Sequence, residues 1–192
     1  SYMLYARDGR YMHPNGTSRL DKLVYLACQC PICINMKVKE FVSLEHDEKI
    51  DKLAKHNLYV LRSEVLSVKQ AIMEGRLWEY VGQKARAHPK LMEAFKLFMN
   101  YKHLEDGTPF FKKKAIFFIE SIDQYRPEAA RLRRIFSSFK TNKKKIVLFP
   151  DTQVSPFYSS QEYHKLSRKF SDYLICAYNP FIGIIPTEIS DI

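Results

Sequence analysis

Apolar residues recur along the middle of the chain at Leu58, Leu61, Val65, Val68 and Ile72, with spacings of 3, 4, 3 and 4. That rhythm puts all five on one face of a helix and predicts that the face packs into a core. Gly75 supplies the stop signal. Upstream, residues 2–6 alternate as a strand does and run into the turn signal Asp8-Gly9, while Tyr11-Met12-His13 leads to a second turn at Pro14-Asn15-Gly16. The pattern predicts a short hairpin or strand pair. Residues 38–55 are dominated by charge and read as an exposed helix or loop, with His56 at the front of the periodic helix. A second helix is predicted over residues 77–87, and Pro89 restarts a third, because proline fits a first helical turn while the residue before it is pushed out of the helical region. Trp78 is expected to pack between these helices. After His103 the composition changes, and residues 104–109 read as a boundary. Beyond it, strands at 115–119, 146–149 and 173–177 alternate with helices at 127–139 and 161–170, the pattern of a parallel α/β layer.

Within this frame, Cys28, Cys30 and Cys33 place three thiols in six residues around Pro31. Thiols so close on a tight knuckle can converge on one ion, and a histidine from a distant helix completes a tetrahedron of the kind structural zinc adopts. His46 and His56 compete for the fourth position. A rigid helix holds a ligand better than a charged run does, which favours His56. A disulfide would leave one of the three cysteines unpaired. Cys176, in an apolar strand, reads as a buried inert thiol.

Charge changes the picture next. The chain of 192 residues carries a formal charge of +10, a field that attracts polyanions and makes nucleic acid the first partner to consider. Three basic clusters concentrate it: Lys112, Lys113 and Lys114; Arg131, Arg133 and Arg134; and Lys140 with Lys143, Lys144 and Lys145. Lysine and arginine on such a surface give sequence-independent affinity for phosphates by releasing counterions. Glu128 lies near enough on the same helix to pair with Arg131 or Arg134. No apolar run is long enough to cross a membrane and no signal segment opens the chain, so a cytoplasmic protein is expected.

Taken in order, these residues resemble the archaeal tRNA-guanine transglycosylases, which start archaeosine synthesis. The resemblance rests on Ala6-Arg7-Asp8-Gly9-Arg10, Gly16-Thr17 with Arg19-Leu20, the cysteine knuckle with Pro31, and His56-Asn57-Leu58-Tyr59. It continues through Lys69-Gln70-Ala71-Ile72, Glu74-Gly75-Arg76-Leu77-Trp78 and Ala85-Arg86-Ala87-His88-Pro89-Lys90-Leu91. It implies that Cys28, Cys30, Cys33 and His56 ligate one zinc ion, which decides between the two histidines. It also implies an α/β fold in which residues 1–103 are the C-terminal end of a (β/α)8 barrel with a zinc-binding subdomain. Members of the family exchange a D-loop guanine of tRNA for 7-cyano-7-deazaguanine through an aspartate nucleophile. Both of the family's catalytic aspartates fall in segments preceding Ser1, so no catalytic residue is expected in this chain. Asp8 and Asp21 lack the catalytic context. The partners implied are tRNA, the incoming base through the barrel portion, and either a second copy or an upstream catalytic subunit.

Residues 104–192 are similar to the central domain of archaeosine synthase, a paralogue that amidates the inserted base. The similarity lies in Ile146-Val147-Leu148-Phe149-Pro150, Ser155-Pro156-Phe157, His164, the run from Asn179 to Pro186, and Glu188. Where that enzyme has a cysteine and a nucleophilic lysine, this chain has Asp151 and Ser155. A serine cannot form the lysine's adduct with a nitrile, so this small α/β domain is expected to be architectural or RNA-contacting. Two other readings remain: a synthase-like paralogue, and a non-catalytic zinc-dependent RNA-binding subunit of a split enzyme.

Overall fold

The computed structural model describes residues 2–109, 116–150, 154 and 156–189. The chain divides into two compact units, Ser1–Met92 and Glu93–Ile192, a division that falls upstream of the composition change at 103/104. Among the described residues, no helix is long and apolar enough to cross a membrane.

The first unit opens with helix α1 (Tyr2–Arg7), not the strand that its alternation predicts. Five residues of alternation fit either period. Here Ala6 is buried with Tyr2 and Met3 packed beside it, while Leu4 faces out, as one face of a helix requires. Gly9, with φ of 66°, turns the chain into the antiparallel hairpin of β1 (Arg10–His13) and β2 (Gly16–Arg19), so the expected hairpin exists one element later. After the cysteine segment come α2 (Val38–Ser43) and the long α3 (His46–Met73). Helix α3 begins at His46, ten residues before His56, because its first turns bury Leu53 and Ala54 in the core with Ile50 packed beside them, and ion pairs between residues four apart lie on the exposed side. These are Glu48 with Lys52 at 2.9 Å and Asp51 with Lys55 at 2.7 Å. It ends in a Schellman turn, in which Gly75 (φ 68°) lets the Arg76 amide donate to the Ala71 carbonyl at 2.8 Å.

The predicted core face of α3 is a correction. Leu58, Leu61, Val65 and Ile72 are exposed and Val68 is half-buried. Periodicity identifies a face but not what covers it. The face turned toward α1 and β1 carries Leu53, Ala54, His56 and Asn57 instead, and these join the core of Ala6, Tyr11, Leu20, Cys30, Cys33 and Phe41. Helices α4 (Leu77–Ala85), with buried Trp78, and α5 (Pro89–Leu97) follow the prediction closely.

In the second unit, helix α6 (Pro127–Ser138) starts on its proline. Strand β3 (Ile146–Pro150) pairs in parallel with β4 (Leu174–Asn179) across α7 (Gln161–Lys169), and β5 (Gly183–Pro186) adds antiparallel to β4. The layer is therefore mixed rather than purely parallel. Ser160 caps α7, its hydroxyl oxygen accepting from the Tyr163 amide at 3.1 Å. Residues 116–119 are not a strand; residue 115 lies outside the described residues. The polar centre of this unit is Arg126, fully buried, which donates to Glu128 and to the Phe117 carbonyl at 2.9 Å each and stacks over Phe118. Glu128 pairs with Arg126, and Arg134 pairs with Glu105.

Candidate metal centre

The segment between β2 and α2 delivers three sulfurs to one side of α3. The Cys33 and Ile34 amides both donate to the Cys30 carbonyl, at 3.0 and 3.1 Å, closing the knuckle. From α3, His56 meets them: its Nδ1 lies 3.5 Å from Cys30 Sγ and 3.3 Å from Cys33 Sγ. The ligating atoms of Cys28, Cys30, Cys33 and His56 all fall within 4.8 Å of one another. A tetrahedral ion with sulfur at about 2.3 Å and nitrogen at about 2.0 Å separates its ligands by roughly 3.5–3.8 Å. The four donors therefore fit a single metal ion. All four cysteines are free, which leaves the disulfide alternative without support.

The histidine is oriented by its other nitrogen. His56 Nε2 sits 2.8 Å from the Met12 carbonyl, which can only accept, so the proton resides on Nε2 and the Nδ1 lone pair points at the sulfurs. Burial pushes the imidazole below its ordinary pKa against the opposing pull of that carbonyl, and a neutral ring is what a metal requires. Tyr11 stacks on His56 with centroids 3.8 Å apart and places its hydroxyl 3.6 Å from Cys33 Sγ. Next along the helix, Asn57 ties down three backbone groups. Its Oδ1 accepts from the Met12 amide at 2.9 Å, and its Nδ2 donates to the carbonyls of Arg10 at 3.1 Å and Tyr2 at 3.3 Å.

The thiols themselves ask for a cation. Burial pushes Cys33 up to about 12; the Tyr11 hydroxyl favours its thiolate, but Cys30 and Cys28 alongside oppose it. Burial raises Cys28 as well. A coordinated divalent ion inverts that preference and deprotonates a thiol outright. Cys28 is half-buried and borders a cavity of about 310 Å³ lined also by His13, Gln29, Tyr59 and Glu64, which opens the cluster to one side. Helix α4 braces that wall, with Lys84 donating to Glu64 Oε1 and to the Pro14 carbonyl at 2.9 Å each and Tyr80 donating to Glu64 Oε2 at 2.7 Å.

The other sequence-predicted residues are placed as follows. His46 is exposed at the start of α3, and His13 turns to Ser18 at 3.3 Å, so neither joins the sulfurs. Asp8 is tied to Arg10 at 2.7 Å and Asp21 to Arg19 at 3.5 Å. Lys140, Lys143, Lys144 and Lys145 are exposed. Arg133 is half-buried and donates to the carbonyls of Gln124 and Phe181. Arg131 is buried and donates to the carbonyls of Glu105, Thr108 and Pro109. Lys112, Lys113, Lys114, Asp151 and Ser155 lie outside the described residues. His164 is exposed on α7 beside Tyr163. The supporting roles of Tyr11 and Asn57 had little signal in the sequence: Asn57 stands in the motif His56-Asn57-Leu58-Tyr59, and Tyr11 only in the strand before the turn at Pro14.

A family model described as TGT: Queuine tRNA-ribosyltransferase matches residues 1–90, which hold all four ligands. The tRNA-guanine(15) transglycosylase of Sulfolobus acidocaldarius is 37% identical over 193 residues, covering 98% of this chain and 37% of that protein. The enzyme of the same name from Pyrococcus furiosus is 41% identical over 164 residues, 85% of this chain and 28% of its own length. That of Saccharolobus solfataricus is 37% identical over 199 residues, 100% of this chain and 39% of its length. The chain thus spans about a third of the length of these relatives. On these matches, residues 1–90 carry the queuine tRNA-ribosyltransferase family match with the ligand quartet inside it, and the chain is a homologue of about a third of the length of the archaeal tRNA-guanine(15) transglycosylases.

Proposed function

We propose that this chain is part of an enzyme that exchanges a D-loop guanine of tRNA for 7-cyano-7-deazaguanine, and that it supplies a structural zinc site and a surface that holds RNA. The observation that carries this reading is the meeting of Cys28, Cys30, Cys33 and His56 inside the residues matched by the family model. One soft tetrahedral site of three thiolates and an imidazole suits zinc, which contributes folding free energy and carries out no redox chemistry.

Residues 1–103 then form the end of a (β/α)8 barrel with its zinc subdomain, and residues 104–192 an α/β domain. The exposed apolar face of α3 supports this: a stripe of Leu58, Leu61, Val65 and Ile72 in water marks a surface made for contact. The carboxylates of the exchange belong to the part of the relatives that this chain does not span, since Asp8 and Asp21 are engaged with arginines at the surface. Lys140, Lys143, Lys144 and Lys145 offer phosphate contacts, with Lys112, Lys113 and Lys114 in the same role; Arg133 is engaged by carbonyls and drops out.

The test is to incubate the chain with tRNA and radiolabelled guanine, alone and with a separately expressed barrel segment carrying the family's aspartates. Label should enter tRNA only in the mixture. Incorporation by the chain alone overturns the assignment of the chemistry. Metal analysis should return one zinc per chain, and His56→Ala should lose it.

A further inference from the structure

The parallel register of β3 on β4, Ile146 opposite Leu174, brings the entrances of both strands to one edge of the sheet. Lys140, Lys143, Lys144 and Lys145 lead into β3, and Arg168 and Lys169 end the helix that leads into β4. Residues far apart in sequence are thereby gathered at one corner, closed by a hydrogen bond from the Leu174 amide to the Lys145 carbonyl at 2.8 Å. All six cations are exposed, and Asp172 is the only acidic residue in the segments 140–145 and 168–173 that form the corner. None of the six makes an ion pair among the described residues.

Two rings sit among them. Phe170 and Tyr173 pack edge to face with centroids 5.3 Å apart; Lys169 Nζ lies 5.4 Å from the first ring and Lys145 Nζ 5.3 Å from the second. Lys143 Nζ donates to the Ser171 carbonyl at 2.6 Å, which holds the loop between α7 and β4 against the lysine run. Arginine and lysine at the end of α7 also complement its dipole, but that role needs neither the four lysines before β3 nor the rings between them. Unpaired cations interleaved with aromatic rings are what a nucleic-acid backbone recognises: phosphates take the charges, and an unstacked base or ribose can lie against a ring.

We propose that this corner is a phosphate-contacting surface for RNA, and that Arg168 and Lys169 belong to it together with Lys143, Lys144 and Lys145. This rests on the reading that tRNA is the partner and gives that reading an address. The sheet edge sets the spacing of the charges, so the contact is to the backbone and tolerates different sequences.

The experiment measures tRNA binding by the full chain across a salt series, for the wild type, for Arg168→Gln with Lys169→Gln, and for Lys143→Gln with Lys145→Gln. Each pair should weaken binding on the order of tenfold at physiological salt and reduce the slope of log affinity against log salt by about two. Unchanged melting curves would show that the exposed substitutions leave the fold intact. An unchanged slope in the Arg168/Lys169 pair overturns the proposal. So does a charge dependence seen on anionic phosphatidylserine vesicles and not on tRNA. The two readings separate cleanly. Salt-dependent tRNA binding lost in both pairs, with no guanine exchange in the mixture with the barrel segment, supports the corner and removes the transglycosylase reading. Exchange retained with both slopes unchanged does the opposite.

Discussion

Each unit of the chain is built around a buried polar centre, but the two centres are completed differently. In the first, His56 and two cysteines lie buried with a half-buried third, an arrangement of donors suited to one cation. In the second, Arg126 is equally buried but carries its own counter-ion, Glu128, together with a carbonyl and an aromatic ring. Both satisfy the demand that buried charge be paired and hydrogen-bonded. The difference is where the partner comes from: the first centre is built to take a cation from solution, the second carries its counter-ion in its own sequence.

That contrast predicts an asymmetric response to metal removal. Stripping the ion with a chelator, or replacing Cys33 with serine, should unfold the first unit, since apparent metal-binding energies of about 10 kcal/mol act as folding energy in such sites. Followed by circular dichroism and calorimetry, the second unit should keep its transition. A single transition that disappears as a whole would break the comparison. Arg126→Met should do the reverse, destabilising the second unit by about 3 kcal/mol because the buried guanidinium's bonds to Glu128 and to the Phe117 carbonyl and its stacking on Phe118 are lost. Its effect should be the same with and without chelator.

Within the first unit, two substitutions separate what the ion does from what the protein does around it. Asn57→Ala leaves the Met12 amide and two carbonyls without their side-chain partner and should cost about 3 kcal/mol in the metal-loaded protein, read as a lowered melting temperature. Tyr11→Phe keeps the stacking on His56 and removes only the hydroxyl facing Cys33. It should lower metal affinity about tenfold in a chelator competition while leaving the apo protein nearly unchanged. If it destabilises apo and loaded protein equally, Tyr11 acts by packing alone.

The same division separates what could be read in the sequence from what could not. Pro89 and Pro127 announced their helices because proline acts locally, and Cys28, Cys30 and Cys33 announced a metal because three clustered thiols have few other uses. The rigid helix favoured His56 over His46 and the family resemblance decided it, while the start of α3 was hidden in a charged run whose Leu53 and Ala54 reach the core between ion-paired residues. The apolar face of α3 was legible as a face and misread as core, since burial depends on what lies opposite. Arg131 and Arg133 looked like surface charge in the sequence, yet their guanidinium groups donate to the carbonyls of residues up to 48 positions away. Nor did anything local announce Asn57, whose value lies in backbone groups 45 to 55 residues distant.

Helix α3 also has a mechanical meaning. It runs unbroken from the metal ligand at His56 to Met73, roughly 25 Å at 1.5 Å per residue. A tilt of about 5° at the ligand end would swing the far end by roughly 2 Å. A metal ion held at His56 would act as the clamp at the near end of that lever, and losing it would displace the Met73 end along with the cysteine segment.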